Sequence, residues 1–367
     1  MYIDGHHYIV KQALDRFGDT VPFSPKDIGR LMSGVEYPDL PCGEYTIADK
    51  GRVIMKRHSV CAFYKLLKIL DDVNEFKEIF QSHRGLYAFL HSMTYDPNLK
   101  VGNIIEIILT HIAAYALLSI YDNNLSSPSP RPSPHVFWIG IILHIMTDSY
   151  SPAHTIRRAD QPLIKPVTNQ KDNFTTFKLH VQNKLFEVIQ DPIRNKTDLK
   201  NVLKEKLPAE GQRYLKSSAN VTNLYEAYKM FKFYHQATEQ AEKLDLPIRP
   251  QKTRHTFDIV NFQYYNNQDG VYHKKLDFVT NVKKHPRMYE RMLDEVHTVL
   301  VMYADACREL TLRPQQHRRI AATFVSNLMD YLVHHTFAVH EKDWNKVTGV
   351  VYSDAVTPSL WDLIKAM

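Results

Sequence analysis

Apolar positions recur along this chain at helical spacing, and few strand-like alternating runs occur anywhere. Ile9, Val10, Ala13, Leu14 and Phe17 mark a stripe that predicts a helix over 6–17, opening beside His6 and His7. The stretch 21–51, with Pro22, Pro25, Pro38 and Pro41, predicts a long irregular connection carrying Asp39; a helix is expected from about His58 to Leu70. Further helices are expected at roughly 74–94 and 101–121. The low-complexity run 126–134, rich in Ser and Pro, then reads as an extended connector leading into a central helix at about 136–148.

After His154 the chain becomes polar and lysine-rich, with helical patterns near 174–190, 197–206 and 221–244. An aromatic, Asn-rich loop is expected at 261–272, followed by two long helices at about 286–311 and 315–340. A short tail then runs past Trp344 and Trp361. The pattern predicts an all-α fold in which 157–258 is an insertion and 346–367 a C-terminal tail.

Composition agrees: 44% of the 367 residues are hydrophobic, enough for a packed core, and only 12 are Gly. The net charge of +6 is spread along the chain and suits an anionic substrate or a solvated lysine surface equally well. Three cysteines without C-x-x-C spacing indicate neither a disulfide framework nor a thiolate zinc site. No cleavable signal peptide is visible, so the expected setting is the cytoplasm or export without one. The apolar runs 104–120 and 136–146 are interrupted by Glu106, His111 and His144 and read as core helices. His334, His335 and His340 read as surface histidines.

Chemistry concentrates on the central helix. His144 and Asp148, four residues apart, share one helix face, and Pro152 stops the helix so that His154 can fold back toward them. Both follow the apolar run 137–143, where an unpaired charge is costly and a metal would neutralise it.

The segment from Phe137 through His144, Asp148 and Pro152 to His154 resembles the central motif of the bacterial zinc-dependent phospholipase C family. That family shares its fold and a trinuclear zinc site with the single-strand-specific zinc nucleases. The resemblance extends to the opening segment His6–Asp15, to Asp39 in the Tyr-Pro-Asp-Leu-Pro turn, to His58, and to the aromatic loop and helix start at 261–279. It implies a multi-helical bundle around a trinuclear zinc cleft, with catalytic residues drawn from 1–156 and 259–345.

By this resemblance one zinc is held by Asp39, His58, His144 and Asp148. A second is held by the Met1 amino group, His6 and the shared Asp148, and a third by His154, His273 and Asp277. For the last His/acid pair, His180 meets Lys184 where the acid should be, and His235/Glu239 falls inside a long helix; His273/Asp277 fits the context best. Tyr2 disfavours removal of Met1, which keeps that amine free. The implied activity is metal-activated hydrolysis of a phosphodiester, with Asp39 orienting or deprotonating the attacking water. Phospholipids or a membrane surface are the expected substrate, with nucleic acid as the alternative. A degenerate metal-binding interaction protein is a third possibility, in which 157–258 covers the site.

Overall fold

The organising element is a helix that lies wholly inside the protein: all twelve residues of Phe137–Asp148 are buried, His144 and Asp148 included. A computed structural model describes residues 1, 3–39, 85–94, 96–121, 132, 134–159, 193–207, 209–244, 246, 248–264, 277 and 279–348. They form α1 (Ile3–Asp15), α2 (Pro25–Glu36), a 3-10 segment (Gly85–His91), α3 (Val101–Tyr121) and α4 (Phe137–Asp148). Strand β1 (Thr155–Arg157) precedes α5 (Lys196–Lys206), α6 (Ala209–Tyr214) and α7 (Ser218–Glu242). Strand β2 (Ile259–Phe262), α8 (Val279–Lys283), α9 (Pro286–Leu312), α10 (His317–His334) and α11 (Glu341–Trp344) follow. The fold is mostly helical, with one two-stranded sheet among the described residues.

One expected loop is a helix. Residues 25–36 coil because Ser24 caps them, its Oγ accepting from the Asp27 N–H at 3.2 Å, and because Pro25 at the first turn has no N–H to lose. This helix crosses α4 at very short range. A Cβ at Gly140 would stand on the Leu31 carbonyl oxygen and 2.8 Å from Gly34 Cα. Two glycines thus set the approach of α2 to α4 and, through it, the position of Asp39 three residues beyond the end of α2.

Around α4 pack α3, α9 and α1. α3 is long and apolar enough to cross a membrane, yet most of it is buried inside the protein. Much of its cover comes from α7, whose Ala237 and Ala241 are fully buried in the same core.

β1 and β2 pair antiparallel, Thr155 opposite Phe262 and Ile156 opposite Asn261. The two ends of the segment 158–258 therefore stand side by side. The Gln263 N–H extends the pairing to the His154 carbonyl at 2.8 Å, which draws the chain after β2 back toward the end of α4. At the other end, the Val101 N–H bonds to the Lys346 carbonyl (2.9 Å) and the Thr348 N–H to that of Leu99 (2.7 Å). The expected helices at 58–70 and 174–190 lie outside the described residues.

Candidate metal centre

Five segments far apart in sequence send polar groups to one buried point. α1 supplies His6, facing inward beside Ile9 and Val10 on its apolar stripe. The end of α4 and the turn after it supply His144, Asp148 and His154, all fully buried. Asp39 follows α2, and Asp277 stands just before α8. The 3-10 segment supplies His91, after which Ser92 turns the chain with φ of 50° and ties itself to the Ile145 carbonyl at 2.7 Å. The Met1 amine completes the set, bonded to Asp148 and 2.6 Å from Asp277 Oδ1.

Three overlapping groups arise: His6, His144 and Asp148; Asp39, His91 and His144; and Asp148, His154 and Asp277. Within each, one ligand atom per residue lies within 4.8 Å of the others. Asp148 sits at the middle: Oδ2 is 2.8 Å from His91 Nδ1, 3.0 Å from His144 Nε2 and 3.2 Å from His154 Nδ1, while Oδ1 is 3.2 Å from His6 Nε2. Asp39 stands farther off, 3.9 Å from both His6 Nε2 and His91 Nδ1, too long for a hydrogen bond. Separations of about 3–4 Å suit atoms that share one ion at bonds of about 2.0–2.2 Å.

The outer partners select which nitrogen faces the cluster. His144 donates from Nδ1 to the Val35 carbonyl at 2.7 Å, leaving Nε2 for a metal. Thr147 gives its hydroxyl proton to the Leu143 carbonyl, so its oxygen accepts from His6 Nδ1 at 2.6 Å and His6 Nε2 is left with a lone pair. Among the described residues, neither His6 Nε2 nor Asp39 Oδ2, both buried, has a hydrogen-bond partner. Buried polar atoms without partners are costly, and here they point at one another across the gap an ion would fill.

Burial and the groups' own charges set the protonation of the cluster: burial works against charge on His144, yet Asp148 and Asp39 raise its pKa. Burial pushes the Asp39 carboxyl up to about 7. Burial alone would raise Asp148 too, but His154, the Met1 amine, His6 and His144 hold it well below the usual carboxylate range. Burial also works against charge on the Met1 amine, yet Asp148, Asp277 and Asp39 lift it to about 10. Burial pushes His91 down to about 4, and burial with His144 and the amine holds His6 well below its usual value; both rings are then neutral, the form that binds metal. The buried His and Asp groups could hold a metal ion, and the donor set of imidazole, carboxylate and amine fits one.

Met1, His6, Asp39, His144, Asp148, His154 and Asp277, all singled out in the sequence, converge here. His58 and His273 lie outside the described residues. Among the described residues, the histidine that stands with Asp39 and His144 is His91, which falls within the helix expected at roughly 74–94. Its signal was there: a polar ring ending the run Leu86-Tyr-Ala-Phe-Leu90, as His144 follows its own apolar run. Of the terminal histidines, His334 and His335 are exposed as expected; His340 is not, being buried where it caps α11. Compared with known protein families, curated proteins and solved structures, the chain matches none.

Proposed function

We propose that this chain is a zinc-dependent phosphodiester hydrolase of the phospholipase C type, built on the multi-helical fold shared by zinc phospholipases C and single-strand-specific zinc nucleases. The observation that supports this reading is the set of three interlocking His/Asp groups around Asp148, with the Met1 amine among them. Asp39, His91, His144 and Asp148 would hold one ion, Met1, His6 and Asp148 a second, and His154 and Asp277 a third, with His273 expected to join them. Zinc so bound lowers the pKa of a coordinated water and stabilises charge on phosphoryl oxygens.

The chain's own residues divide the remaining work. Asp148 is fully enclosed and serves to hold cations. Asp39 has the most exposed of the three carboxylates, at 12% against 0% for Asp148 and 7% for Asp277, and one of its oxygens has no hydrogen-bond partner among the described residues. It is placed to orient or deprotonate the attacking water. The packed imidazoles and the apolar walls of α4 keep bulk water from the ions.

The test is hydrolysis of phosphatidylcholine vesicles and of single-stranded DNA by protein stripped with a chelator and reloaded with zinc. Zinc-dependent release of phosphocholine supports the phospholipase reading. Cleavage of DNA alone would favour the nuclease alternative. Zinc binding with neither activity would leave the degenerate interaction protein, and no zinc at all would refute the reading.

A further inference from the structure

Ser151 lies between Asp148 and His154 in the turn that ends α4 and is 1% exposed. Its bonds reach every member of the third group. The Ser151 N–H donates to the Asp148 carbonyl at 2.9 Å, its own carbonyl accepts from the His154 N–H at 2.9 Å and the Thr155 N–H at 3.0 Å, and its hydroxyl donates to Asp277 Oδ1 at 2.7 Å. The same hydroxyl accepts from the Ala153 N–H at 3.3 Å, which fixes its rotamer.

Asp277 needs such a hold. It comes from a part of the chain 126 residues away, and one of its oxygens, Oδ1, stands 2.6 Å from the Met1 amine and 3.3 Å from His154 Nε2. A donor on a rigid turn holds that oxygen between them. The turn itself is anchored: Arg157, fully buried, donates to the Ser149 carbonyl (2.9 Å) and hydroxyl (2.9 Å), and to the Thr336 carbonyl at 2.8 Å.

We propose that Ser151 is the positioning residue of the third metal group, aiming Asp277 at the ion that His154 also binds. The role rests on the zinc reading above and adds to it which residue decides that ion's affinity. Partners of this kind change metal affinity by about 10–100-fold when lost.

The test is zinc affinity, read by competition with a chromophoric chelator on the full chain, for wild type, S151A and S151T. The expected result is that S151A weakens one ion by about 10–100-fold and leaves the others unchanged, that S151T restores it, and that D277N weakens the same ion. Unchanged affinities in S151A, or equal weakening of all ions, would overturn the role of Ser151 while leaving the zinc reading intact. Wild-type protein that binds no zinc would overturn the zinc reading itself. Should S151A fail to fold, S151C keeps the volume with a weaker donor: one weakened ion supports the proposal and three unaltered ions refute it.

Discussion

Gly140 of α4 faces Gly34 of α2 backbone to backbone: a Cβ on Gly34 would meet the Phe137 carbonyl carbon at 2.9 Å and Gly140 Cα at 3.0 Å. One residue past Gly34, the Val35 carbonyl receives the His144 proton. The contact that brings two helices together is thus one residue away from the contact that orients a metal-binding imidazole.

Gly140→Ala should therefore act on both. Overpacking against backbone that cannot yield is expected to cost about 1–3 kcal/mol or more, read as a lower Tm. Pushing α2 away also lengthens the Val35–His144 bond, so zinc affinity should fall with it. A variant with a lower Tm and full zinc affinity would separate the two effects and refute the link.

His91→Ala should cost the protein one zinc ion, because it removes a ligand from the group with Asp39 and His144. His58→Ala, made in parallel, is expected to keep the full complement, since Asp39, His91, His144 and Asp148 already supply the four ligands a zinc ion takes. Atomic absorption on the two purified variants decides between the histidines.

Acetylating the Met1 amine, or joining one residue ahead of it, turns that nitrogen into an amide that cannot coordinate metal. The Met1 side chain is in the core, 1% exposed and so close to Gly5 that a Cβ there would lie 2.8 Å from Met1 Cγ, so the nitrogen cannot simply swing out. The expected outcome is one zinc fewer per chain, with helical content unchanged by circular dichroism.

Away from the cluster, His111 of α3 stacks on Phe89 at 3.7 Å, and burial pushes its ring down to about 3 from an ordinary 6.5. The unfolded chain takes up that proton near pH 6.5 and the folded chain refuses it until far lower. The stability His111 contributes is thus complete above about pH 6.5 and lost as pH falls toward 3, by up to about 1.4 kcal/mol per pH unit. Denaturant unfolding of metal-free protein at pH 6.5 and pH 4.5 should show a smaller acid loss in His111→Leu than in wild type.

The elements with strong periodicity were legible in the sequence nearly to the residue. α3 was expected at 101–121 and is Val101–Tyr121; α4 was expected at about 136–148 and is Phe137–Asp148. α2 was not, because prolines that punctuate a loop elsewhere here sit at a helix start behind a serine cap. The spacing of His144, Asp148 and His154 was readable because one helix and one turn fix it. Asp277 was reachable only through resemblance, since its contacts with Ser151, the Met1 amine and His154 all span more than a hundred residues. His91 was missed for a related reason: Asp148, His144 and His154, which it meets, are distant in sequence, and a ring at the end of a 3-10 segment has no periodic signature.

The packing of α7 on α3 has a consequence for how the chain can be cut. α3 carries the composition of a bilayer-spanning segment, and α7, which occurs more than a hundred residues later, stands where acyl chains would otherwise have to stand. Trimming 157–258 away as an accessory would leave that face open to water or to another copy's. The segment that looks most dispensable along the sequence is, for α3, its substitute for lipid.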